Sequence, residues 1–340
     1  MTYRPQWLSE GVEDLLAALE QSAGEEVDFD VAVVGSGYGG AVAAARLSRA
    51  RANAKPLRVC VLERGQEYRP GGFPRGVSQL PGSVRFSRYD DPKAKGRTDG
   101  LFDFRLGADM SVLVGSGLGG TSLINASVAE RAHPEVFEDP AWPAELRRDL
   151  DTLNGCYDRA ECMLGVVDAS VEGIVKYGEL GEFAKAIGAQ VRPARLAVYD
   201  GTRPNPQGVT QDPCDRVGNC VIGCNRGAKN TLDMNYLPEA RRFGARLYTN
   251  ATVSHVEKVE TSVAGRTEVS WRVCFNQTSA RHPPLDQDAG PRLRPVRARH
   301  VVLAAGTLGS TEILMRSRAR GLRVSAQLGT RFSGNGDMIV

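Results

Sequence analysis

The chain has 340 residues, with 43 basic against 40 acidic side chains and a formal net charge of +3. That near-balance excludes the basic footprint of a nucleic-acid-binding protein, and 41% hydrophobic with 24% charged residues excludes a chain disordered throughout. No apolar run reaches the ~18 residues that span a bilayer, and the N-terminal stretch lacks the apolar core of an export signal. A cytoplasmic location is therefore the expectation, with the seven cysteines reduced.

In chain order, Trp7, Leu8, Val12, Leu15, Leu16 and Leu19 recur at helical spacing, predicting a short amphipathic helix with Ser9 as its cap. It forms a peripheral element within residues 1–27. Residues 28–35 (DFDVAVVG) are a buried-strand run, residues 41–50 an Ala-rich helix and residues 57–62 (LRVCVL) a second strand. Strand, glycine turn, helix, strand is one βαβ unit. Residues 65–105 are rich in Gly, Pro, Arg and Asp and are read as loop, and 110–114 as a strand. Helices are predicted over 144–164 and 171–187, and an irregular stretch with three cysteines over 198–230. Residues 245–275 alternate apolar and polar as in an antiparallel meander, 276–295 form a polar loop, 300–304 a parallel-type strand and 311–320 a helix.

The 38 glycines are about 11% of the chain, against about 7% on average, and they cluster. Gly35, Gly37 and Gly40, with Ser36, Tyr38 and Gly39 between them, satisfy G-x-G-x-x-G between a strand and a helix. The first glycine permits a tight turn, the second a close approach to a pyrophosphate, the third close helix packing. The helix N-terminus then offers N–H groups and the positive end of its dipole. Glu63 ends the next strand 23 residues after Gly40, where a carboxylate gripping a ribose hydroxyl is expected. Gly115, Gly117, Gly119 and Gly120 repeat the spacing without a βαβ unit around them. They are read as a loop passing close to a cofactor held at the first site. Val301 to Gly306 (VVLAAG) is a strand ending in small residues, Ala305 and Gly306 among them, which lets it approach the same cofactor.

Cys214, Cys220 and Cys224 lie close in sequence, but a four-thiolate site needs one more and no histidine is near. They are read as structural thiols, and no metal ligand is assigned. Nothing in the settings of His133, His255, His282 and His300 marks a catalytic base.

Taken together, VAVVGSGYGGAVAAARL, VLERGQEYRPGGFP, VLVGSGLGGTSLINASV, GNCVIGCNRGAKNTLDMNYLPEA, HVVLAAGTLGSTEIL and FSGNGD resemble the glucose–methanol–choline (GMC) oxidoreductases, in their bacterial cholesterol oxidase-like branch. The resemblance runs from about Asp28 to Val340. It implies FAD rather than NAD. It places the first glycine loop on the FAD pyrophosphate, Glu63 on the adenosine ribose, and Gly119, Gly120, Thr121, Ser122 and Asn125 against the flavin. It also implies that Val253 meets the adenine end through its backbone and that Gly336 and Asp337 close over the cofactor.

The chain departs from the pattern at Val217, where relatives often carry a fourth cysteine, and in length. The catalytic histidine of such proteins lies in a C-terminal portion, so no catalytic residue is assigned here. The expectation is a Rossmann-like α/β FAD-binding domain with a parallel sheet, a βαβ start and an antiparallel meander. Its segments are 28–150 and 236–340, flanking part of an inserted substrate region at 151–235, in a chain truncated at its C-terminus. The reaction implied is hydride transfer from an alcohol carbon, sterol-like by resemblance to that branch, to the flavin, with oxygen or another carrier as electron acceptor. By itself the chain is expected to be inactive. A non-catalytic FAD-binding fragment or half of a split enzyme, and an iron–sulfur flavoprotein electron carrier, are the alternatives.

Overall fold

The computed structural model describes residues 7–91, 95–263, 266–278 and 294–334. The chain divides into two compact units: the first from residues up to Tyr68, Pro74–Leu123 and Tyr236 onward, the second from Arg69–Phe73 and Ile124–Asn235.

In the first unit, α1 (Val12–Gln21) buries Val12, Leu15 and Leu19, one stripe of its surface. Its cap is Gly11, whose N–H donates to Asp14 Oδ2 at 3.0 Å. Ser9, expected to cap it, instead donates its N–H and its hydroxyl to Glu67 (2.8 and 2.7 Å), a partner distant in sequence. β1 (Phe29–Val34) leads into α2 (Tyr38–Ser48). A small ribbon of β2 (Arg51–Ala52) and β3 (Lys55–Pro56) precedes β4 (Val59–Leu62), which is buried throughout, as is nearly all of β1. Strands covered on both faces read as continuous apolar runs, which is why this βαβ unit was visible in the sequence.

Residues 65–105 are not all loop. β5 (Val84–Arg88), β6 (Lys95–Gly96), β7 (Phe102–Leu106) and β8 (Val112–Gly115) form a four-stranded sheet in the order β6-β5-β7-β8. On β7 the alternation is inverted: Asp103 is fully buried while Phe104 and Leu106 are exposed. A charged inward face defeats the polar-out rule by which strands are recognised.

The second unit carries α3 (Ala144–Arg148), α4 (Leu150–Leu164), β9 (Val166–Asp168), α5 (Val175–Ala186) and β10 (Arg195–Ala197), with β9 and β10 antiparallel. Ala129 N–H donates to Arg195 O at 2.8 Å and Val128 pairs with Leu196, so residues from Ile124 belong to this unit although the sequence placed the division at 150. Glu161 accepts from both Arg131 and Arg195, which hold its carboxyl down to about 2.

The chain returns to the first unit at α6 (Tyr236–Arg242) and β11 (Arg246–Tyr248). β12 (Ala251–Val263) and β13 (Arg266–Gln277) form a long hairpin, and β14 (Val296–Leu303) leads into α7 (Gly306–Ala319). The main sheet has the order β11-β4-β1-β14-β13-β12, parallel from β11 to β14 and antiparallel beyond. Within the expected meander, β11 is a parallel strand beside β4. Cys60, Leu62, Tyr248, Val256, Val273 and Val296 join α1 in the core. No helix among the described residues is long and apolar enough to cross a membrane.

Candidate functional site: a glycine-lined cavity

Ligands of parallel α/β sheets sit beyond the carboxyl ends of the strands. There, in the first unit, a cavity of about 1190 Å³ is lined by the ends of β1, β4 and β14, the start of α2, β8 and the hairpin around Val253. Of the residues singled out in the sequence, Gly35, Ser36, Gly37, Tyr38, Gly39, Glu63, Gly115, Gly120, Thr121, Val253, Ala305 and Gly306 line it.

The first glycine loop is shaped by contact with its own backbone. Gly35 has φ +96°, and a Cβ there would lie 2.5 Å from Ala304 O. A Cβ on Gly40 would lie 1.9 Å from Gly35 O, so only glycine lets α2 start this close to β1. A Cβ on Gly37 would meet nothing within 4 Å, and Gly37 lines the cavity. No side chain caps α2 at Gly37.

The second glycine loop closes on the first. Gly120 has φ +58°, and a Cβ there would lie 2.8 Å from Gly37 Cα. Gly119 N–H donates to Ser36 Oγ at 2.9 Å, and the Ser36 hydroxyl also lies 3.3 Å from Gly117 O. Glu63 Oε2 accepts from Ser36 N–H (3.1 Å) and Ser36 Oγ–H (2.6 Å), and its Oε1 from Gly65 N–H (2.8 Å). The carboxylate at the end of β4 thus braces both loops, in addition to any lone pair it turns to a ligand.

Gly40, Gly119 and Ser122 do not line the cavity. They stand behind its wall: Gly40 against Gly35, Gly119 on Ser36, and Ser122 donating to Gly119 O at 2.6 Å. Asn125 falls in the second unit, where its carbonyl accepts from Lys229 Nζ at 2.5 Å. Gly336, Asp337 and His282 lie outside the described residues.

Sequence reasoning missed a cluster on the cavity wall. Asp103 Oδ2 accepts from Arg64 (2.9 Å), Arg85 (3.0 Å) and Arg105 (2.9 Å), and Arg105 reaches on to Glu312 at 2.6 Å. Arg64, Arg85, Arg105, Glu312 and Arg316 all line the cavity. Burial opposes ionisation of Asp103, but the three guanidinium charges outweigh it and hold its carboxyl below the usual range. Burial, then the Arg64 charge, pushes Arg85 down to about 10. The alternating VRFSR and FDFRL segments were the available signal, obscured by the inverted polarity of β7.

In the second unit, Lys229 is almost fully buried and donates to Asn125 O and Cys220 O. Burial pushes it down to about 8. None of the seven cysteines is disulfide-bonded, and burial pushes the Cys220 thiol up.

A parallel sheet entered through a βαβ unit, with a glycine turn beyond its central strand and a large cavity above it, defines a Rossmann-like α/β fold. The GMC oxidoreductase profile matches residues 30–332, and the chain belongs to that family. It is 27% identical over 335 residues to a cholesterol oxidase of Acinetobacter baumannii, covering 92% of this chain and 55% of that protein. It is 30% identical over 337 residues to a cholesterol oxidase of Mycobacterium tuberculosis, covering 92% of this chain and 52% of that one. The chain thus spans about half the length of these curated relatives. A solved fungal aryl-alcohol oxidase aligns over 85% of this chain and 47% of its own with 16% identity and a TM-score of 0.40.

Proposed function

We propose that this chain is the FAD-binding portion of a GMC-type oxidoreductase acting on CH–OH groups. The observation that carries the reading is the joined pair of glycine loops over the cavity, with Gly37 open toward it. A dinucleotide is long and carries a diphosphate. The cavity exceeds the ~300–1,000 Å³ of ordinary small-ligand sites, and the uncapped start of α2 is suited to a diphosphate. When bound, FAD would supply the hydride acceptor for oxidation of an alcohol to a carbonyl.

The chain's own residues hold and orient. Gly35–Gly40 would bind the diphosphate through backbone N–H groups. Glu63, braced by Ser36 and Gly65, would meet the ribose. Gly115, Gly120 and Thr121 would face the flavin, backed by Gly119 and Ser122. Val253 would meet the adenine end, and Ala305 and Gly306 would allow close approach. Asn125, Gly336 and Asp337 are assigned to the same site by resemblance alone.

Proton abstraction from the alcohol needs a separate base within hydrogen-bond reach. No described residue lining the cavity is a histidine, and its two glutamates are engaged, Glu63 by Ser36 and Gly65, Glu312 by Arg105. Residues 1–340 alone are therefore expected to bind flavin without oxidising alcohols. An alcohol is the substrate class proposed, sterol-like by the names of the relatives, with oxygen or another carrier taking the electrons.

The test is to incubate the purified chain with FAD, desalt it and record the visible spectrum. About one FAD per chain supports the reading. A folded chain by circular dichroism that retains no flavin overturns it. Dye reduction with a sterol or simple alcohol above trace rates would overturn the assignment of the base elsewhere.

A further inference from the structure

The cofactor cavity leaves unused a cluster on the outer hairpin of the main sheet. His255 on β12 stands directly across from Cys274 on β13, and Glu257 stands across from Arg272. In a strand alternate residues share a face. Val256 and Val273 turn into the core, and His255, Glu257 and Cys274 lie half-buried on the opposite face. One ligand atom from each of these three lies within 4.8 Å of the others. A bulge between Val253 and His255 sets this register, and bulges re-aim side chains.

The hydrogen bonds around the cluster orient it. The Ser254 hydroxyl has one proton and donates it to Cys274 O at 3.3 Å. His255 Nδ1 lies 2.8 Å from Ser254 Oγ and Nε2 lies 3.4 Å from Glu257 Oε1; in the tautomer with its proton on Nδ1, the ring donates to Ser254 Oγ and turns the Nε2 lone pair toward Glu257. In that tautomer the two acceptors can share a cation between them. Glu257 Oε2 is occupied by Arg272 Nε at 3.0 Å, which leaves Oε1 for that cation. An imidazole held through Nδ1 and a carboxylate held through its outer oxygen are the supporting contacts that metal ligands ordinarily have.

We infer that His255 Nε2, Glu257 Oε1 and Cys274 Sγ form a site for Zn²⁺ that ties β12 to β13 at the bulge. Imidazole, carboxylate and thiolate are all zinc donors, and three protein ligands leave a fourth tetrahedral position for water. On binding, the Cys274 thiol releases its proton to solvent and the thiolate bonds the metal, with no change of oxidation state. The site is independent of the flavin reading, since none of its three ligands lines that cavity.

The experiment is a titration of the full chain with Co²⁺ followed by Zn²⁺ competition against a colorimetric chelator. One equivalent of Co²⁺ is expected, with a thiolate-to-cobalt charge-transfer band that Zn²⁺ abolishes. Cys274→Ser should remove the band, and His255→Asn and Glu257→Gln should each weaken Zn²⁺ binding at least tenfold. Cys220→Ser should leave both unchanged, separating this site from the cysteines of the second unit. Saturating Zn²⁺ should raise the Tm of the wild type and not that of His255→Asn. If Cys274→Ser fails to fold, the other two ligand variants carry the test. Absence of the band, or equal affinity in wild type and in His255→Asn and Glu257→Gln, overturns the proposal and leaves a proton as the cation between His255 and Glu257.

Discussion

Gly120 and Gly37 meet backbone to backbone: a Cβ on Gly120 would lie 2.8 Å from Gly37 Cα, while a Cβ on Gly37 itself would meet nothing within 4 Å. The two glycines therefore have different reasons for being glycine. One permits the loops to touch, and the other keeps the cavity wall low.

Gly37→Ala separates those roles. Gly37 has φ −64°, which alanine adopts without strain. The ligand-free variant should melt within about 1 °C of wild type, a change under ~1 kcal/mol for a chain of this size. Its FAD affinity should fall at least tenfold, ~1.4 kcal/mol or more, because the new methyl stands where the diphosphate is proposed to lie. Gly120→Ala, with φ +58° and a backbone neighbour, should lose both stability and flavin. Fluorescence titration with FAD beside thermal melts reads both. Unchanged affinity in Gly37→Ala would remove that glycine from the site.

Ser36 is wholly buried and links Glu63 to the second loop. Ser36→Ala leaves the Gly119 N–H without its acceptor, which should lower stability by about 1–3 kcal/mol in urea unfolding. Glu63→Gln should do similar damage, because its amide nitrogen faces either the Gly65 N–H or the Ser36 donors. A double variant that costs less than the sum of the singles would confirm that the two act as one unit.

Asp103→Asn removes the carboxylate that three guanidiniums share. Breaking a buried ion pair from one side typically costs about 3–5 kcal/mol. The folded pKa of Asp103 is held below its unfolded value. Its contribution is therefore fully present above the unfolded pKa of about 3.9 and is lost as pH falls through the folded value. Wild type and variant should accordingly differ most at neutral pH and converge in acid. Asp90→Asn, at the exposed and solvent-screened pair with Arg88, should leave stability close to that of wild type. Equal effects of the two substitutions would mean the buried cluster contributes nothing special.

Lys229 gives stability the same direction of pH dependence in a more alkaline window. Burial lowers its pKa from 10.5 to about 8, so between those values the unfolded chain binds more protons than the folded one. Stability from this group rises with pH across that window, by roughly 3 kcal/mol in all at 1.36 kcal/mol per unit. Below pH 8 the charge is a standing penalty, partly offset by the carbonyls of Asn125 and Cys220. The difference in unfolding free energy between wild type and Lys229→Met should grow in favour of wild type from pH 8 to 10.5. A flat difference would show that the ammonium is not buried as described.

The run from Phe29 to Glu63 was legible because every signal in it is local. A buried parallel strand is a continuous apolar run, a glycine turn is a spacing, and an Ala-rich helix is a composition. Residues 84–106 were illegible for the converse reason. There the strands turn Asp103 and Arg105 inward and leave Phe104 and Leu106 exposed, so the pattern that identifies a strand was reversed. Ser9 was assigned to a cap because it stands just before a helix, yet its partner is Glu67, far along the chain.

The sequence by itself determined the βαβ entry, the two glycine clusters and the family, since these depend on residue types at fixed short separations. Tertiary structure decided which groups meet. Gly120 reaches Gly37, Asp103 gathers Arg64, Arg85 and Arg105, and His255 faces Cys274 only through loop packing, strand order and register. Those are set by burial over the whole sheet, and a shift of one residue in register would move each of these strand side chains to the other face.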